Sequence, residues 1–140
     1  MKHILHFNNS LLEKEKSKIL KFSKNYSLGR LYDFLSNEYH IDCSLDQDII
    51  KSYTTDWSNI PGGNADLLVR PINNFQCALI LKICDVNKIP ITISAGQTNL
   101  TGSATPFGGI VLSTSKLNQE DIVVNTQKKY VKTPVGITLE

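Results

Sequence analysis

Between Ala65 and Ser94 the sequence spells strand, helix and strand in succession, and this segment constrains the fold more than any other. ADLLVR (65–70) is a short apolar run stopped by Pro71, long enough for a buried strand and too short for a helix. Asn73 or Asn74 can then cap a helix through FQCALILKICDVNK, which is apolar on nearly every face and so predicts a buried or half-buried helix. Pro90 opens a second β-branched run, ITIS (91–94). A βαβ crossover of this kind is nearly always right-handed, makes its strands parallel and collects ligands beyond their carboxyl ends. At that end the sequence runs from Ala95 to Gly109 through a loop rich in Gly, Thr, Ser and Asn, ahead of the apolar run GIVL (109–112).

Few bulky side chains block the backbone of that loop. Successive small residues let N–H groups point into one concavity, a nest that binds phosphate oxygens. Thr98, Asn99, Thr101, Ser103 and Thr105 offer further donors. The same composition also fits an ordinary polar connection. Neither GxGxxG nor GxxxxGK[ST] is present, and the loop feeds a strand instead of a helix, so a simple Rossmann or kinase reading fails.

Ahead of this unit, residues 1–55 read as a helical region and 56–140 as the start of a second domain. Ser10 stands three residues before Glu13, the spacing of a capping box, before a Lys-rich helix holding Leu11, Leu12, Ile19 and Leu20. Leu28, Leu31, Tyr32 and Leu35 form a helical stripe behind Ser27. Leu45, Ile49 and Tyr53 form another behind Ser44 and Gln47, and both stripes are expected to pack inward. DWSNIPGGN (56–64) is turn chemistry. Beyond the loop, Ile122–Asn125 and Tyr130–Thr133 predict a hairpin, and the chain reads as cut off at Glu140.

Charge and cysteine content exclude several classes. A net charge of +2, with Arg30 and Arg70 the only arginines, gives no phosphate-tracking surface, so nucleic acid is not the expected partner. No apolar run reaches the ~20 residues of a membrane span. The N-terminus carries no signal-peptide pattern, and Cys43, Cys77 and Cys84 cannot all pair, which predicts a cytoplasmic protein with structural thiols. His3 and His6 suggest a metal pair and His40 a base, but His3 and His6 sit in an N-terminal tail without further ligands nearby, so no metal site is expected.

Taken in order, these residues resemble the FAD-linked oxidases of the vanillyl-alcohol oxidase (PCMH) type, in particular the D-lactate and glycolate dehydrogenase-like branch. The resemblance spans Ile41 to Glu140. It rests on Tyr53 and Asp56 (Y-x-x-D), Arg70-Pro71, the loop Ile93-Ser94-Ala95-Gly96-Gln97-Thr98-Asn99-Leu100-Thr101-Gly102, the strand Gly109–Leu112, and Pro134-Val135-Gly136-Ile137-Thr138-Leu139. It implies an α+β fold, N-terminal helices followed by a βαβ-containing FAD-binding subdomain of the PCMH type, incomplete at its C-terminus. It also implies a flavin-dependent oxidoreductase acting on a small 2-hydroxy acid such as D-lactate or glycolate. Ser94, Ala95, Gly96, Gln97, Thr98, Asn99, Leu100 and Gly102 inherit the loop that wraps the FAD pyrophosphate, Thr98 and Asn99 through their side chains, while Thr105 and Pro106 follow it and line the flavin. The family loop has Arg, Gly and Gly where this chain has Ser94, Ala95 and Gln97. A positive φ at Gln97 would be strained, and its side chain is expected to crowd the phosphate. Relatives that bind flavin covalently use a His where Thr98 stands, which implies non-covalent FAD here. The resemblance supplies no catalytic base. Two other readings stand beside it: a truncated, non-catalytic fragment that binds flavin weakly or not at all, and a different nucleotide or phosphate-binding module.

Overall fold

The two apolar runs of the crossover are parallel, yet they do not touch. Strands β2 (Leu67–Arg70) and β3 (Ile91–Ser94) flank a third strand, β4 (Ile110–Ser113), which pairs parallel with both. Leu68 lies opposite Val111, and Ile93 opposite Leu112. On the far side of β2, β1 (Asp42–Ser44) pairs antiparallel, Cys43 opposite Val69, completing a four-stranded sheet of order β1-β2-β4-β3. The sequence pattern gave no sign of β1, a three-residue strand too short for alternation to register. An ion pair fastens it: Arg70 Nε and Nη2 lie 2.8 and 2.9 Å from the two Asp42 oxygens, and Lys116 Nζ lies 2.6 Å from Asp42 Oδ2. Burial works against the Asp42 charge, but these two cations outweigh it and hold the carboxyl below its usual range.

The computed structural model of the chain describes residues 9–138, so His3, His6, Leu139 and Glu140 lie outside it. Helix α1 (Asn9–Ser23) contains Ser10, which therefore does not occupy an N-cap. Helix α2 (Leu28–Asp33) begins as the sequence predicts, with Ser27 Oγ accepting from Arg30 N at 3.3 Å, and runs into a π-helical turn at Phe34–Glu38. Leu31 and Leu35 are fully buried. The third predicted stripe is corrected. Helix α3 (Gln47–Lys51) is only five residues long, Asp46 caps it through Asp48 N, and Ser44 belongs to β1. So short a helix has no continuous face, and Ile50 turns inward while Leu45 and Ile49 stay exposed.

Period-two alternation assigns the two faces of the sheet. Leu67, Val69, Ile110 and Leu112 meet Leu79, Ile80, Ile83 and Cys84 of α4 (Asn74–Asn87), with Ile19, Phe22, Leu31 and Leu35 in the same core. Asn73 caps α4, its side chain accepting from Gln76 N at 2.9 Å, and Leu81 lies on the exposed side. The opposite face carries a smaller cluster of Ile50, Ala65, Leu68 and Val111, with Tyr53 packed against it. Strands β5 (Val123–Asn125) and β6 (Tyr130–Lys132) form the predicted hairpin as a separate two-stranded sheet. No helix among the described residues is long and apolar enough to cross a membrane.

The two sides of α4 give a direct check. Leu79→Ala should lower unfolding free energy by ~2–5 kcal/mol, whereas Leu81→Ala should change it by no more than ~0.5 kcal/mol, as read from urea denaturation.

Candidate flavin site

Strand β3 ends at Ser94, whose side chain lies on the face of Val111 and is fully buried, its Oγ without a hydrogen-bond partner. The chain then comes to the surface. Ala95, Gly96, Thr98 and Leu100 are exposed. Among the described residues, no backbone N–H from Gly96 through Ser103 donates to a protein acceptor. At Gly96 an added Cβ would meet nothing nearer than Thr98 Cγ2 at 4.0 Å, so this stretch of backbone borders open space. A run of unengaged donors beside open space is the arrangement that receives phosphate oxygens.

The neighbouring segment 52–58 holds this loop in place. Asp56 Oδ2 accepts from Asn99 Nδ2 at 2.6 Å and from Ala104 N at 3.2 Å. Its Oδ1 accepts from Ser58 N at 3.0 Å and from the Ser58 hydroxyl. Asp56 is buried. The Ser58 hydroxyl, followed by the Ser58 amide, Asn99 and the Ala104 amide, overcomes the cost of burial and sets the Asp56 pKa at about 2. Sequence reasoning picked out Asp56 only through the resemblance, because its partners in the loop, Asn99 and Ala104, lie more than forty residues away.

Gln97 corrects the expectation made for it. Its φ is +55°, a left-handed conformation that costs a non-glycine residue about 1 kcal/mol. The side chain turns away from the open space, and Nε2 donates to Ser52 O at 3.1 Å and Thr55 O at 2.8 Å. Trp57 N donates back to Gln97 O at 3.2 Å. These bonds offset the strain, so the side chain does not crowd the loop mouth. Asn99 is also committed to the protein, its amide nitrogen lying 3.2 Å from Ser103 Oγ as well as on Asp56.

The remaining predicted residues separate by depth. Thr105 and Pro106 are buried beneath the loop. Thr105 N donates to Gly102 O at 3.1 Å, Pro106 O accepts from Asn64 N at 2.9 Å, and Thr105 Oγ1 has no partner. Backbones are pressed close here: a Cβ on Gly63 would stand 1.9 Å from Thr54 O. A groove of about 700 Å³ lies elsewhere, between the start of α4 at Asn73–Phe75 and residues such as Leu117 and Pro134. The three thiols are unpaired, and burial pushes Cys43 up to about 12 and Cys84 to about 11, so neither is a ready thiolate.

Comparison with known proteins gives this geometry its class. Residues 65–140 match the family described as FAD binding domain, and the chain belongs to that family. FAD is therefore the cofactor of the domain. The chain is 33% identical over 88 residues to the D-lactate dehydrogenase of Anaerostipes hadrus, covering 57% of this chain and 18% of that protein. It is 31% identical over 75 residues to the mitochondrial D-2-hydroxyglutarate dehydrogenase of Bos taurus, covering 53% of this chain and 14% of that protein. It thus spans less than a fifth of the length of these curated relatives. The crystal structure of p-cresol methylhydroxylase with substrate bound superposes with a TM-score of 0.62 at 21% identity, over 89% of this chain and 23% of that one, and shares its fold. The mixed α+β architecture read from the sequence is the one observed.

The depressed Asp56 pKa has a fixed sign. An unfolded Asp titrates near ~3.9, so the stability that ionised Asp56 contributes is complete above about pH 4 and is lost as pH falls toward 2. Acid titration of unfolding should show a component in that window, and Asp56→Asn should remove it.

Proposed function

We propose that the loop Ser94–Pro106 binds the pyrophosphate of FAD non-covalently, within the FAD-binding portion of a dehydrogenase that oxidises a small 2-hydroxy acid. The observation that carries this reading is the run of unengaged backbone N–H groups from Gly96 through Ser103, beside the open space at Gly96. The residues fit the cofactor. Backbone N–H groups would donate to phosphate oxygens whatever the side chains are, which accommodates Ala95 and Gln97 where the resembled family has glycine. The Thr98 hydroxyl adds an exposed donor, while Ser94 Oγ and Thr105 Oγ1 are buried hydroxyls still lacking partners. Asn99 serves by shaping the loop, since its amide nitrogen is taken by Asp56 and Ser103. When bound, FAD supplies a hydride acceptor, and these residues place it without performing proton transfer themselves.

The names of the relatives, which specify D-lactate and D-2-hydroxyglutarate, both 2-hydroxy acids, support this substrate class. The 2-hydroxy acid is a partner of the whole enzyme, of which these residues contribute the cofactor cradle. Three unpaired thiols suit a reducing compartment such as the cytoplasm.

Trp57 makes the test direct. It is the single tryptophan, its indole is 65% exposed, and its backbone N–H is bonded to Gln97 O. Titration with FAD should quench Trp57 fluorescence saturably. Gly96→Phe, which fills open space without touching the core, should abolish the quenching while circular dichroism is unchanged. Saturable binding that survives in Gly96→Phe would place FAD elsewhere.

A further inference from the structure

A cradle made of small residues has no stiffness of its own. Ala95–Gly109 contains no helix or extended strand, and its free N–H groups contribute nothing to holding it until a ligand arrives. It is nevertheless tied down at Gln97, Asn99 and Ala104, and each tie ends on the segment 52–58. Asp56 alone spans the turn between Asn99 and Ala104, using one carboxylate oxygen for both and the other for Ser58. A buried carboxylate next to a pyrophosphate site is unfavourable for an anionic ligand, so direct contact with the cofactor does not explain it. Metal ligation and proton transfer are equally unsuited, because both oxygens are occupied by donors from the protein itself.

We propose that Asp56 and Gln97 are positioning residues that hold the flavin cradle in its binding shape before the cofactor arrives, so that the functional site begins at Ser52. This deepens the FAD reading above and rests on it. It also extends the site beyond residues 65–140, the segment matched by the family. The physical consequence is a population effect: apparent affinity falls in proportion to the fraction of molecules whose loop is correctly formed. Gln97 contributes from the loop side and Asp56 from the anchor side, so removing either loosens the same element. The isosteric change Asp56→Asn is the sharper of the two. It puts an amide nitrogen in place of one acceptor oxygen, and either orientation leaves a donor facing donors.

The experiment is amide hydrogen exchange on the 140-residue chain without ligand, paired with FAD and ADP titrations, for the unaltered protein, Asp56→Asn and Gln97→Ala. The expected result in Asp56→Asn is exchange at least about tenfold faster at Ala104, Trp57 and Ser58, with Leu68 and Val111 in the sheet unchanged. FAD and ADP, which share the pyrophosphate, should both bind at least about tenfold more weakly. Gln97→Ala should reproduce the effect at Trp57, and its half-buried place outside both cores keeps the test valid even where Asp56→Asn unfolds the chain. Unchanged loop exchange in the variants overturns the proposal, as does unchanged affinity in a loosened loop. Failure of the unaltered chain to bind FAD overturns the cofactor reading; the exchange rates still decide whether Asp56 and Gln97 anchor the loop.

Discussion

The insertion of β4 between β2 and β3 is the constraint on which the rest of the structure depends. Because β4 runs parallel to β3 and pairs with it directly, the chain that leaves β3 at Ser94 must travel back the length of the strand before it can enter β4 at Ile110. Parallel neighbours usually make this return through a helix. Here the return is irregular backbone, and an irregular connection leaves N–H groups that no helix or ladder consumes. The strand order thus creates the donors, and the small residues of the loop leave them accessible.

Such a connection needs support from outside itself. The segment 52–64 supplies it, lying before β2 in sequence and hydrogen-bonded to the loop from Gln97 to Gly108. The arrangement puts a fully engaged carboxylate behind the loop and neutral donors in front. In the proposed reading, attraction for a diphosphate comes from oriented peptide dipoles instead of lysine or arginine, in keeping with a chain whose cations lie mainly on exposed helix faces and in the Asp42 ion pair.

Much of the architecture was legible because local chemistry sets it. Pro71 and Pro90 bound the strands, Ser27 and Asn73 cap their helices where the sequence places them, and the hairpin forms across Thr126–Lys129. The failures share a cause. Ser44, Leu45 and Ile49 fit a helical template on paper, but the pairing of Asp42–Ser44 with β2 claims the start of that stretch for a strand. The five residues left for α3 are then oriented by Ile50 entering the second core. Tertiary contact overrode a weak local pattern.

The sequence by itself determined the element types around the crossover and the small, polar character of the loop, because both follow from residues within a few positions of one another. Only the tertiary structure decided that β4 divides β2 from β3, that the Gln97 side chain turns back onto Ser52 and Thr55, and that Asp56 closes the loop through Asn99 and Ala104. The pairing of β2 with β4 and the ties of Gln97 and Asp56 join residues more than forty positions apart, and no local propensity reaches that far.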